Sequence, residues 1–332
     1  VAEGGQTWSE DEEERDLPGA AETELRALVV PAEQHGVRLD KALADLVPEF
    51  SRSYLQQLLA QGLVRLNGQV AAKPALKAKA GDGIAVEMRP TQQSQAFKPE
   101  TLPLDVVHED EHLLVVNKPA GLVVHPAPGN WSGTLLNGLL GRDPQAMHVP
   151  RAGIVHRLDK DTSGLMVVAR SRAAMDALVR MIAAREVSRQ YLALGWGGWS
   201  GPAHRSVQAP IGRDPRNRLR MAVVDLRAHP GKEARTDIDL LDDSQEVCLV
   251  RCTLHTGRTH QIRVHMASIR HPLVADALYG GNEGGGLHRQ ALHAFRLVFT
   301  HPVTGQAMEF RAPLPGDMQQ ALGSWGLRYN PQ

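Results

Sequence analysis

The stretch HRLDKDTSGLMVVAR, His156–Arg170, joins two unlike halves. LMVVA is a short continuous apolar run, the pattern of a buried strand. The six residues from His156 to Asp161 carry a His, an Arg, a Lys and two Asp. A rigid strand after Gly164 would anchor that charged loop. Asp159 stands between Arg157 and Lys160, and neighbouring cations favour an ionised carboxylate. Such a group suits a nucleophile or a charge stabiliser better than a general acid. Taken alone, the segment also reads as a solvated turn with local ion pairs. Asp161 is expected to order the turn through local backbone hydrogen bonds.

Further strand-like runs surround this one: LDVVHED, HLLVVNKP, QYLALGWG, VCLVRCTL and RLVFTHP, with TLLNGLLG and AAMDALVRMIAARE as helical runs between some of them. Few βαβ units appear. The pattern predicts an α+β domain over 104–325 with a mixed, mainly antiparallel sheet. A smaller unit precedes it at 36–88. RLDKALADLV has Leu39, Ala42, Leu43 and Leu46 at helical spacing and stops at Pro48. Ser51 is suited to cap a second helix, SRSYLQQLLAQ, which Gly62 closes. Asn67-Gly68 then signals a hairpin. Residues 89–103 read as a linker, 326–332 as a tail, and 1–35 as a disordered acidic segment. A chain of 332 residues agrees with two domains.

Net charge is zero, which alone argues against nucleic acid as a partner. Residues 1–26, however, hold nine acidic and two basic residues, so the remainder carries +7. That permits RNA without demanding it. No run of about 18 apolar residues occurs, so no membrane helix is expected. No secretory signal opens the chain. Cys248 and Cys252 would share one strand face and point inward as free thiols. These features point to the cytoplasm.

LHTGRTHQIRVHMA, Leu254–Ala267, is a second charged cluster. His255, His260 and His265 recur every five residues, which matches neither a strand face nor a helix face, so no metal site is expected. Arg258 and Arg263 suit a carboxylate or phosphate, or simply a basic surface. Arg213, Arg216, Arg218 and Arg220 fall within eight residues and suit a phosphate backbone, or a solvated loop. Tyrosine is scarce. Tyr191, at the head of a strand beside basic residues, is the best candidate to meet a base, with a core role as the alternative.

Together, NKPAGLVVHP, GIVHRLDKDTSGLMVVA, SRQYLALGWG, LHTGRTHQIRVHMA and HPLVADALYGG occur in the order seen in large-subunit rRNA pseudouridine synthases, and the chain resembles that family from about residue 36 to 317. The front unit resembles the S4 RNA-binding module, which narrows the resemblance to a branch carrying one. The resemblance implies that Asp159 is the essential catalytic residue, with Tyr191 lining the pocket and Arg263 pairing with Asp159. It associates Arg157 with extruding the target nucleotide. Arg258 and the Arg213, Arg216, Arg218 and Arg220 loop would contact RNA, as would Arg38, Lys41 and Arg52 of the front unit. It further implies 23S rRNA or the large-subunit precursor as partner, with the helix-69 stem-loop as target; an isomerisation without redox or group transfer needs no cofactor, and a monomer is the default expectation. Two departures stand out. The family's PLVGD reads PLVAD here, with Ala275 before Asp276, and Arg189 occupies a position often held by Lys or Thr. A non-catalytic RNA-binding factor is the main rival. A retaining glycoside hydrolase using Asp159 and Asp161 at about 5 Å is disfavoured by the 4% aromatic content.

Overall fold

Apolar residues at i, i+3 and i+4 place one face of each front helix in a common core. In the computed structural model, which describes residues 24–47, 52–88, 96–127 and 129–331, strand β1 (Glu24–Val29) leads to helices α1 (Leu39–Leu46) and α2 (Arg52–Ala60). Strands β2 (Val64–Leu66), β3 (Gln69–Val70) and β4 (Gly83–Met88) follow. The sheet order is β1-β4-β2-β3, with all pairs antiparallel. Leu39, Leu43, Leu55, Leu58, Leu59, Val64, Ile84 and Val86 fill the core beneath it. Asn67 and Gly68 both take positive φ, 49° and 81°, as a two-residue hairpin turn requires. Ser51, the expected cap of α2, lies outside the described residues.

Residues 1–23 of the acidic segment lie outside the described residues, and the disorder expected through residue 35 does not hold for its last part, where β1 pairs with β4 from Glu24↔Met88 to Val29↔Gly83. Its outward residues Leu25 and Val29 stay exposed, so the strand shows little of the apolar alternation that would announce it.

The described residues divide into two units at 95/96. In the second, β5 (Val106–Glu109), β6 (Leu113–Lys118), α3 (Leu135–Arg142), β7 (Ser163–Ala169), α4 (Arg172–Ala183), β8 (Ser188–Trp196), β9 (His204–Gln208), β10 (Ile211–Arg213), β11 (Met221–Val223), β12 (Arg235–Asp243), β13 (Val247–Leu254), α5 (Gln261–Ser268), β14 (Leu292–Thr300), β15 (Ala307–Arg311) and α6 (Gly316–Ser324) succeed one another. The main sheet runs β5-β6-β7-β14-β8-β13-β12-β9, with β15 on β14. Among the described residues only β7 and β14 pair in parallel, so the sheet is mixed and mainly antiparallel.

Every residue of β7 is buried. Met166 and Val168 face one core with Tyr191, Ala193, Cys248, Val250 and Cys252, while Leu165 and Val167 face the α4 side. Period-two alternation thus assigns Tyr191 to a definite face. Both cysteines are free and buried on it. Gly164 takes φ +120°, and a Cβ there would stand 2.2 Å from the Ala294 carbonyl oxygen. This glycine lets the end of the charged loop enter the sheet against β14.

Two outer segments also differ from expectation. Asn137 Nδ2 donates to the carbonyls of Ala96 and Lys98, and Gly133 N donates to Glu100. Residues 96–103 therefore pack with the second unit rather than serving wholly as linker. In the expected tail, Leu327 is buried beside Met318 and Leu322, and Tyr329 packs on Phe295.

Candidate active site

The loop of the opening motif is held from behind, through its backbone. Lys118, at the end of β6, is 1% exposed, and its Nζ donates to the carbonyls of Pro119 (2.9 Å), Leu122 (2.8 Å) and Lys160 (2.9 Å). Arg289 Nη1 donates to the Asp161 carbonyl (3.0 Å) and is itself fixed by Asp317 (2.6 Å). Thr162 N closes the turn onto the Asp159 carbonyl (3.1 Å). The turn is ordered by two remote cations on its carbonyls; among the described residues the Asp161 carboxylate makes no hydrogen bond. A cavity of about 690 Å³ behind the loop is lined by Lys118, Ser163, Arg289, His293 and Asp317 but not by Asp159.

Burial brings the Lys118 pKa down to about 8, with Asp161 and Asp159 opposing. The folded value lies below the unfolded one, so the unfolded chain binds more protons between about pH 8 and 10.5. Stability attributable to this residue therefore rises with pH across that window. The stability of the parent relative to Lys118→Met is expected to increase by up to about 3 kcal/mol between pH 7 and 10. Denaturant titrations at each pH measure this, and a pH-independent difference would contradict it.

Facing the loop, α5 presents Arg263, 8% exposed at its side chain. Its guanidinium is shared between two carboxylates. Nε and Nη2 grip Asp276 at 2.7 and 2.9 Å, and Nη1 donates to Asp159 Oδ2 at 3.0 Å. Burial works against the charge, but the two carboxylates outweigh it and hold Arg263 above the ordinary arginine value. The Arg263 guanidinium also lies 5.0 Å from the Tyr279 ring centroid. Tyr279 Oη accepts from Met221 N (3.0 Å) and meets His260 Nδ1 (2.7 Å). When the Tyr279 hydroxyl donates to Nδ1, the neutral imidazole carries its proton on Nε2, 3.8 Å from Asp159 Oδ1. His260 takes a left-handed backbone at the start of α5 (φ 56°).

The three histidines of this segment serve separate partners. His255 pairs with Asp237, His260 meets Tyr279, and His265 bonds Thr236 and the Ala209 carbonyl. Gln261 ties the Thr256–Arg258 loop to β12 through the Arg235 carbonyl and Thr236. Sequence reasoning overlooked Asp276, Tyr279 and His260 as parts of the site. The signal was present in HPLVADALYGG, where an Asp and a Tyr flank a turn.

Ala275, at the PLVAD departure, adopts φ 59°, a left-handed conformation costly for a residue with a Cβ. Ala275→Gly is expected to stabilise the protein by about 0.5–1 kcal/mol, the relieved strain exceeding the added unfolded-chain entropy. Thermal unfolding tests this, and a lower melting temperature would refute it.

Tyr191 is 5% exposed on β8, opposite Cys252 and Ala294. Burial raises its phenol pKa, and Asp159 is near enough to add to the effect. Arg157 is exposed, and its charge is felt at His125 and His260.

The remaining basic candidates are disposed differently. Arg220 is bound to the buried Asp214 (2.6 Å), and Arg213 donates to the Arg218 carbonyl. The exposed side chains of Arg216 and Arg218 have no partner among the described residues. Arg258 donates to the Glu233 carbonyl (3.0 Å). In the front unit Arg38 and Arg52, each half-exposed, converge on the fully buried Asp40, which also accepts from Gln56. They hold its carboxyl well below the usual range against the opposing effect of burial. Lys41 is exposed.

Asp159, on the loop leading into buried β7, is thus gripped by Arg263 of α5, and its charge is felt at Tyr191 of β8. The RNA pseudouridylate synthase family profile matches residues 112–268, and the S4 domain profile matches 37–84. The chain belongs to the RNA pseudouridylate synthases, isomerases of uridine in RNA, and carries an S4 domain at its front. Its relatives include ribosomal large subunit pseudouridine synthase D of Neisseria meningitidis serogroup B, 48% identical over 95% of this chain and 86% of that protein. The proteins of the same name from Xanthomonas campestris (46%; 91% and 93%) and Escherichia coli (44%; 88% and 92%) are also similar. Among solved structures, human RNA pseudouridylate synthase domain containing 1 is 26% identical with TM-score 0.50, covering 74% of this chain and all of that one. Human RNA pseudouridylate synthase domain containing 4, at 23% identity and TM-score 0.54, covers 68% of this chain and 94% of its own and shares the fold.

Proposed function

We propose that this protein isomerises uridines of 23S rRNA in the large ribosomal subunit or its precursor, the helix-69 stem-loop being the target, with Asp159 as the catalytic carboxylate. The observation that carries the reading is Asp159 itself: a carboxylate 18% exposed at its side chain, on the loop that leads into a fully buried strand, its Oδ2 fixed by Arg263. The names of the relatives support large-subunit rRNA as the substrate.

The reaction breaks N1–C1′, turns the base and joins C5 to C1′. Composition and redox state are conserved, so the chemistry requires neither an external group nor an electron carrier. An ionised Asp159 attacks C1′ or the base, or supports deprotonation at C2′; all three begin from the carboxylate that Arg263 holds in place. Tyr191 offers the pocket a rigid ring. The uridine must leave its stack, at a cost of a few kcal/mol, and the exposed Arg157 is placed to occupy the vacancy. Arg38, Lys41 and Arg52, with Arg216, Arg218 and Arg258, serve backbone contacts that set register without reading sequence. Arg213 and Arg220, tied down internally, shape the hairpin that presents the other two. The protein acts as a monomer in the cytoplasm.

Incubating the protein with 23S rRNA transcript, then mapping pseudouridine chemically, tests the proposal. New pseudouridines confined to the helix-69 loop are expected. Modification elsewhere only would overturn the target, and none on any large-subunit RNA would overturn the substrate.

A further inference from the structure

Arg189 is a buried cation that the network around Asp159 leaves unused. It is 8% exposed, yet among the described residues its side chain makes no ion pair and donates no hydrogen bond, and its Nε is buried without a partner. Arg263, equally buried, has two carboxylates. An unpaired guanidinium in the interior is costly unless a ligand completes it.

Its position says which ligand. Arg189 lies two residues before Tyr191 on β8, hence on the same face. Arg189 and Asp159 both act electrostatically on the Tyr191 phenol. The guanidinium lies against the loop of α5, where a Cβ on Gly257 would stand 3.0 Å from its Nη1. The Arg189 charge is also felt at His156, on the loop before β7. His156 Nε2 accepts from Val167 N (3.1 Å), so the neutral ring carries its proton on Nδ1, and that atom is also buried without a partner. Two unsatisfied donors from two elements are therefore buried in this region, one of them on the Tyr191 face of β8. The phosphodiester stays with the RNA chain at the mouth, where Arg157 is exposed. The part of the substrate that descends to Tyr191 is the base.

We propose that Arg189, with His156, is a further catalytic residue that holds a carbonyl oxygen of the uracil and stabilises the base once it is detached. This rests on the assignment of Asp159 above. When N1–C1′ breaks, its electron pair goes to the base, whose negative charge spreads over the ring nitrogens and both carbonyl oxygens. C1′ is taken up by the Asp159 carboxylate or relieved by temporary loss of the C2′ proton. C5 then bonds to C1′ as the Asp159–C1′ bond breaks or the C2′ proton returns, and the proton displaced from C5 ends on N1, so atoms and charge balance. The turn that exchanges N1 for C5 runs about the N3–C6 line and exchanges O2 for O4. A fixed donor that holds O2 before the turn meets O4 after it. One guanidinium thus serves departure and return without moving.

The test compares the parent, Arg189→Met, Arg189→Lys and Asp159→Asn for kcat, KM, RNA affinity and melting temperature on one rRNA substrate. Arg189→Met is expected to lower kcat about 10²–10³-fold, as for loss of one donor to a developing anion. KM and RNA affinity should stay within about threefold of the parent, and the melting temperature should be unchanged or higher, since the cation has no internal partner. Arg189→Lys should recover about tenfold over Met by restoring the charge. Three results would overturn the inference: a kcat for the Met variant within threefold of the parent; a Met variant that unfolds or melts lower, which marks a structural arginine; or an intact kcat with weakened RNA affinity, which assigns the cation to a phosphate. Inactive Asp159→Asn beside active Arg189→Met sinks only this inference. Active Asp159→Asn sinks the reading on which it stands.

Discussion

Asp159→Asn is expected to leave the protein folded and bound to its RNA while abolishing isomerisation. The change is isosteric, and Asn Oδ1 still accepts from Arg263 Nη1, 3.0 Å from the present carboxylate oxygen. Arg263 keeps its two-point grip on Asp276, so the helix–loop contact survives. Asp159 is partly exposed, so losing its charge should cost no more than about 1 kcal/mol of stability. Turnover should fall by at least roughly 10⁴-fold, because an amide neither attacks carbon nor accepts a proton at neutral pH. Tritium release from 5-tritiated uridine measures turnover, and filter binding measures affinity. Binding within a few-fold and no release is the expected pair. Retained release would remove Asp159 from the chemistry.

The parts of this site that were legible in the sequence are those whose meaning is local. LMVVA announced β7 because an apolar run needs no partner to be recognised. Asp159 drew notice because cations adjoin it in the chain, and Cys248 and Cys252 were assigned one buried face by strand period alone. What escaped was built across distance. Asp276 and Tyr279 acquire their roles only when the turn after α5 brings them under Arg263. Lys118 looked like one residue of a motif, and its three carbonyl partners, one of them 42 residues away, are invisible to periodicity. Arg38 and Arg52 were read as RNA contacts without sight of the buried Asp40 that both also bind; the 12-residue spacing from Asp40 to Arg52 gives no hint of it. Asp161 was credited with ordering its own turn, whereas the Lys118 ammonium and the Arg289 guanidinium do so through carbonyls. Charge in the chain shows where chemistry is dense; partnership decides which charges are used.

Arg263 is where stability and activity are joined, and two substitutions separate them. Arg263→Met removes the cation from between Asp276, 1% exposed at its side chain, and Asp159. Breaking a buried pair from one side leaves an uncompensated carboxylate, so the variant should lose about 3–5 kcal/mol of stability. Its kcat should fall about 10²–10³-fold as Asp159 loses the donor that fixes its Oδ2. A single variant cannot say whether activity fell because the carboxylate is misplaced or because the fold is loosened. Adding Asp276→Leu to Arg263→Met replaces the pair by apolar side chains, and buried pairs so replaced are commonly neutral or stabilising. The double variant is therefore expected to recover most of the lost stability in urea denaturation while kcat stays as low as in the single variant. Recovery of both would make Arg263 a structural residue only. Recovery of stability alone assigns it to positioning Asp159, with Asp276 as the counter-charge that lets a guanidinium sit there at all.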